Sequence, residues 1–258
     1  MLKSQNYRRL LVGGALLALL IALPVYAEVT QEFHRTLPLS ADGRVSLSNI
    51  NGDVEITGWA QNEVQIDAVK SARDQQRLDN IRIDVSNNGS SSVEIETKYP
   101  EHLFHNDPGS VHYTLHVPQN ARLDEIKLVN GSLNVQKLNG EVHADLVNGK
   151  LRASDLSGEA NLATVNGSIE ANYASLNNVR EIKLKSVNGR VELLLPQSPN
   201  ADVEASVVNG SISTDFPLTV KGRFLGKSMS GTLGSGGMHI ELSNVNGSIH
   251  LGPGRGSL

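Results

Sequence analysis

From residue 28 onward, apolar and polar residues alternate in short runs separated by turn-forming dipeptides. Val64-Gln65-Ile66-Asp67-Ala68, Ile81-Arg82-Ile83-Asp84-Val85 and Val93-Glu94-Ile95-Glu96-Thr97 are plain examples. A period of two is the mark of a strand with one buried face. The chain therefore predicts an all-β protein. Ala72 to Leu78 is the only stretch that suits a helical turn.

A second, longer period overlies the first. Val-Asn-Gly recurs with its asparagine at Asn130, Asn148, Asn166, Asn188, Asn209 and Asn246, with a relative at Asn51. The steps from Asn130 to Asn209 are 18, 18, 22 and 21 residues. A fixed period near 20 residues signals a repeat architecture. With each asparagine as position zero, positions −1, +3 and usually +5 are apolar: Val129, Leu133 and Val135, then Val147, Leu151 and Ala153, then Val165, Ile169 and Ala171. Position +4 is polar, as at Asn134, Arg152 and Glu170. Leu138-Asn139-Gly140 and Leu156-Ser157-Gly158 form a second series halfway between, with inward pairs Val142/Ala144 and Ala160/Leu162.

Asn-Gly suits backbone of positive φ, so each Val-Asn-Gly predicts a tight corner. Such corners serve two architectures. An antiparallel meander would use each one as a hairpin turn. A single-stranded β-solenoid, with β-helix-like rungs of about 18–22 residues, would stack like strands in parallel. Recurrence at every second corner favours the solenoid, because like then lies on like. Asn130, Asn148, Asn166, Asn188 and Asn209 would form one column, with amides bonded from rung to rung. Stacked Val, Leu and Ile would fill a narrow core.

The ends extend the organisation. Lys3, Arg8 and Arg9, then apolar Leu10 to Leu23, Pro24 and Val25-Tyr26-Ala27 have the form of a signal peptide, 1–27. The competing reading is an uncleaved anchor, for which the apolar run is short. Residues 28–118 form a less regular strand region, with a loop over 98–110, and 119–251 hold the regular repeats. Pro217 and the glycines up to Gly237 predict a loop or hairpin interrupting the coil at 216–237. Residues 252–258 predict a disordered tail.

Charge and composition narrow the partners. Without the signal the chain carries 20 Lys+Arg against 27 Asp+Glu, a formal charge of −7. That disfavours nucleic acid and gives no polybasic handle for anionic lipid. No second apolar span suggests stable membrane insertion after cleavage. The chain has no cysteine, which excludes disulfides and thiolate ligands.

The opening Phe33-x-x-Thr36-Leu37-Pro38-Leu39, the segment Ser48 to Trp59, the Val-Asn-Gly-Ser-Ile units and Leu193 to Ala205 together resemble a bacterial candidate-adhesin family of β-strand-repeat proteins, a domain of unknown function. A looser similarity extends to autotransporter-adhesin head domains. The resemblance implies a β-helix-like exported protein and brings no catalytic residues.

Candidate sites are few. His102, His105, His112 and His116 cluster near Asp107, and His112 and His116 share one strand face. They could hold zinc or copper, yet the spacings of known zinc sites are missing, which favours ordinary polar residues on an exposed strand and loop. Gly231 to Gly237 lacks the Lys-Ser/Thr of a phosphate loop. Trp59 suits an end of the core. The reading is that no catalytic, cofactor or metal residue is present and the chain is not an enzyme. It would be a periplasmic, surface or secreted bacterial protein binding an envelope protein or glycan, with no oligomeric state assigned. The alternatives are a polysaccharide-acting β-helix enzyme, for which paired carboxylates and stacking aromatics are wanting, and a periplasmic sensory module.

Overall fold

Alternation over most of the chain produces strands that share one 18-stranded sheet. A computed structural model describes residues 28–99, 108–177, 179–222 and 226–254. The signal reading at 1–27 lies outside them. The strands begin with β1 (Val29–Pro38), β2 (Arg44–Asn51), β3 (Val54–Trp59) and β4 (Glu63–Ala72). The one helix among the described residues is α1 (Gln75–Asn80), where the Asp74 carboxylate accepts the Arg77 N–H at 2.9 Å. Next come β5 (Arg82–Asn88), β6 (Ser92–Lys98) and β7 (Ser110–Pro118).

The repeats supply β8 (Arg122–Asn130), β9 (Leu133–Gln136), β10 (Val142–Asn148), β11 (Leu151–Leu156), β12 (Ala160–Asn166), β13 (Ile169–Tyr173) and β14 (Glu181–Leu195). The chain ends through β15 (Ala201–Thr214), β16 (Val220–Gly222), β17 (Lys227–Leu233) and β18 (Met238–Pro253). Gly252 and Pro253 therefore belong to a strand rather than to a tail. The Gly-rich interruption is the antiparallel pair β16–β17, with β17 also lying antiparallel on the first half of β15.

Every strand that ends in or passes through Val-Asn-Gly pairs parallel with its like, asparagine opposite asparagine. The order is Asn51, Asn130, Asn148, Asn166, Asn188, Asn246, Asn209. Among the described residues antiparallel pairing is confined to β1–β4, β4–β7, β5–β6 and the β15–β17 and β16–β17 pairs. One expectation is corrected here. Asn209 does not follow Asn188, because β18 inserts between β14 and β15. Sequence order and spatial order part wherever a hairpin lets a later strand take the better-matched edge. β18 aligns with β14 from Glu181↔His239 to Leu195↔Pro253.

The asparagines form a ladder of one polarity. Each Nδ2 donates to the Oδ1 of the preceding member, from Asn130 on Asn51 at 3.0 Å to Asn209 on Asn246 at 3.0 Å. The backbone reason given for Asn-Gly holds for the glycine at Gly52, Gly189, Gly210 and Gly247, which have positive φ, but not for the asparagine. None of these asparagines has positive φ; the non-glycine residues that do are Lys137 and Asp155, seven positions later. β14, β15 and β18 run through Asn-Gly unbroken. The glycine is needed for closeness. A Cβ on Gly167 would stand 1.8 Å from the Gly149 carbonyl oxygen, and one on Gly189 1.8 Å from that of Gly167.

The core is a continuous band of mostly aliphatic side chains that also takes in the rings of Tyr113 and Tyr173. Positions +3 and +5 are buried as expected: Leu133, Val135, Leu151, Ala153, Ile169, Ala171, Val191 and Leu193. So are Val142, Ala144, Ala160 and Leu162. Position −1 is not. Val129, Val147, Val165, Val187, Val208 and Val245 are the exposed large apolar residues, together with Val69. Position −2 takes their place inside, through Leu128, Leu146, Thr164, Ser186, Val207, Asn244 and Asn49.

Candidate functional site: an apolar groove along the stacked repeats

The strand leading into each Asn-Gly alternates with −6, −4 and −2 inward, except that a bulge in β8 puts Leu123 rather than Asp124 inside. Beyond the dipeptide +3 and +5 are inward, so the bend shifts the alternation by one residue. Valine at −1 therefore lies on the outside. Because the strands are in register, the valines form a straight row from Ile50 to Val208, with successive members about 4.8 Å apart. Each valine is 38–50% exposed, whereas isolated apolar surface residues need no explanation and contiguous rows do.

From Ile50 to Val245 the row forms one wall of a groove of about 590 Å³. Its other side is position −3, occupied by Ser48, Lys127, Asp145, Ala163, Lys185 and Ser243. The charges there are engaged along the surface. Lys127 pairs with Glu125, and Lys185 with Glu241 at 2.8 Å. Glu125 holds the Lys127 ammonium above its usual pKa. Below the groove, Asn49 Oδ1 and Thr164 Oγ1 are buried without a hydrogen-bond partner. Such a surface can take an extended apolar group along its length. It offers no facing carboxylate pair for acid–base chemistry.

The sequence-derived candidates do not converge. His102, His105 and Asp107 lie outside the described residues. His112 is exposed, and its Nδ1 accepts the Asp53 N–H at 3.2 Å. His116 packs against the Trp59 ring, with centroids 5.2 Å apart, and its buried Nδ1 has no partner. Among the described residues no group of three or more His, Asp or Glu side chains is placed to hold a metal ion. Trp59 donates to the Glu63 carbonyl at 2.9 Å beside the antiparallel strands. In the Gly-rich section the Asp202 carboxylate accepts from Thr232 at 2.7 Å and from the Gly237 N–H at 3.1 Å, which makes that section a tied hairpin. These contacts also hold the Asp202 pKa down. No described helix is long and apolar enough to cross a membrane.

Comparison with known proteins places the architecture. The model of one protein family, Toastrack DUF4097, matches residues 25–252. A candidate cell adhesion protein from Clostridium sporogenes superposes with a TM-score of 0.52 at 14% identity, covering 88% of this chain and 100% of that one. That likeness shows a shared fold. A candidate adhesin from Bacteroides fragilis gives 0.41 at 10% identity, over 86% and 97% of the two chains. No curated protein matches.

Proposed function

The chain belongs to the Toastrack DUF4097 family, and from that premise we propose that it is an exported, non-catalytic envelope protein that binds rather than transforms its partner. In this reading the repeats coil as a β-solenoid with Asn-Gly corners, and the coil is a rigid rod that presents the valine groove. The observation that carries the reading is the row itself. Six valines are left outside at the same position of six repeats, although a polar residue there would cost the core nothing. These valines are already half-buried, so covering the rest of one is worth about 1 kcal/mol, and an occupant covering several gains a useful free energy. The adhesin designations of similar folds accord with a binding role for those proteins.

The test is adhesion by cells displaying the chain to immobilised glycans and matrix proteins. Val165→Glu with Val187→Glu charges the middle of the row without touching the core. Retention of the circular dichroism spectrum with at least a tenfold loss of adhesion is expected. Turnover of a polysaccharide, abolished by one carboxylate substitution, would instead establish an enzyme.

A further inference from the structure

The two outer edges of the stack are finished differently. At the N-terminal end β2 is flanked by β6 and β8, and β3 by β7 and β9. There the Asn51 amide donates to the Gly109 carbonyl at 3.2 Å. At the other end β17 covers only Ala201–Val207 of β15. Gly226 crosses beside Val208, where its Cβ would lie 3.2 Å from the Val208 Cα. From Gly210 to Thr214, β15 pairs with β18 on one side and with no described strand on the other. Gly210 and Ser211 are exposed, whereas Gly167, Ser168, Gly247 and Ser248, which stand at the same positions within the stack, are half-buried.

Among the described residues this edge carries backbone donors with no partner, and their direction is known from the other repeats. The glycine N–H donates to the asparagine carbonyl of the next strand out: Gly131 to Asn148 at 3.0 Å, Gly149 to Asn166 at 3.0 Å and Gly167 to Asn188 at 2.9 Å. The +3 N–H likewise donates outward, Leu133 to Lys150 and Leu151 to Ser168, both at 2.9 Å. The equivalents in β15 are Gly210 and Ile212. Edges that must stay unpaired usually carry proline or a charge. Asn209-Gly210-Ser211-Ile212-Ser213-Thr214 carries neither.

We propose that Gly210–Thr214 is a strand-addition site for an extended peptide bearing Asn-Gly, supplied by a partner protein. The chemistry of the partner follows from the stack. A residue laid over Gly210 must be glycine, because in every repeat a Cβ there would meet the glycine carbonyl of the strand beneath within about 2 Å. The residue before it is asparagine, whose amide donates to the Asn209 Oδ1 as the Asn209 amide donates to Asn246. A second copy of the chain is the wrong occupant. Parallel addition needs the inward edge of an Asn-Gly strand, and in a second copy that edge is taken in every repeat, by β18 in the case of β15, while its Asn51 amide is already used. β18 shows what a fitting strand looks like, since its Asn246-Gly247-Ser248-Ile249 stacks on β14 from one side and carries β15 on the other. Main-chain bonds then give affinity, and the glycine requirement gives selectivity.

The experiment uses the full chain and a capped fluorescent peptide with the sequence of Asn246–Leu251. Saturable anisotropy is expected, with slowed hydrogen exchange at the Gly210 and Ile212 amides. Replacing the peptide's glycine by alanine should weaken binding at least tenfold, and N-methylation of its backbone should abolish it. Equal affinity of the glycine and alanine peptides overturns the proposal, as does absence of binding at millimolar peptide. Slowed exchange at those amides that rises with protein concentration, before any peptide is added, would also overturn it, by assigning the edge to a second copy.

Discussion

The two ends of the asparagine ladder differ by half a layer. At Asn51 the last amide finds the Gly109 carbonyl, and β6 and β7 lie parallel on β2 and β3 with the antiparallel β5 and β4 beyond them. At Asn209 the ladder stops with an oxygen facing outward and a strand half covered. One end is finished as a surface, the other as a template. The interior obeys the same geometry throughout, so equal substitutions placed along the stack should report which contacts each end lacks.

Glycine positions should show the largest effects. In Gly167→Ala the new Cβ is driven against the Gly149 carbonyl oxygen, with strands fixed on both sides. A loss above about 4 kcal/mol, or failure to fold, is expected. Gly210→Ala meets the Gly247 carbonyl just as closely, but β15 can move outward where nothing described lies over it. It should fold with a clearly smaller loss. Equal midpoints in chemical denaturation would show that the far edge is held as firmly as the middle.

Asparagines give a finer scale. Asn166 donates to Asn148 and accepts from Asn188, both within 2.9 Å. Asn166→Val should cost about 1–2 kcal/mol, two modest hydrogen bonds at an exposed site, or a few degrees in Tm. Asn209→Val removes one bond and should cost about half as much. Asn134→Ser, outside the ladder, should change little. If Asn166→Val and Asn134→Ser melt together, the ladder contributes no measurable stability.

Much of this was legible from residue order, because stacking forces like onto like. The period, the buried +3 and +5 positions and the amide ladder from Asn130 to Asn188 all follow from the Val-Asn-Gly spacing. The exposed valine row does not follow if the strand is taken as straight through Asn-Gly. Its signal was nevertheless present. Val142 and Ala144 form an inward pair, and counting on by two reaches Leu146, leaving Val147 outside. The phase shift at the bend separates the two counts. The insertion of β18 was hidden for another reason. Val245-Asn246-Gly247 satisfies the same rule as Val208-Asn209-Gly210, and only tertiary pairing decides their order.

The smallest expected effect distinguishes the ends by pH. His34 on β1 lies opposite Asp67 on β4 at the closed end, with its Nδ1 2.7 Å from the carboxylate and Nε2 3.3 Å from Glu32. The hydrogen bond to Asp67 raises the His34 pKa above its ordinary 6.5, with Glu32 second. The same bond lowers the Asp67 pKa below its ordinary 3.8. The histidine's contribution is complete below pH 6.5 and fades as pH rises through the raised value. The carboxylate's is complete above pH 3.8 and fades as pH falls through the lowered one. The pair thus strengthens β1 on β4 between those limits and loosens as pH rises through the raised histidine value or falls through the lowered carboxylate one. His34 is solvent-exposed, so the gain is small. NMR titration should place the His34 pKa above 6.5 and Asp67→Asn should return it toward 6.5. Hydrogen exchange in β1 should quicken on the alkaline side beyond the general rise with pH, while β15 shows only that general rise. A His34 pKa unmoved by Asp67→Asn would mean that β1 is held on β4 by its ladder alone.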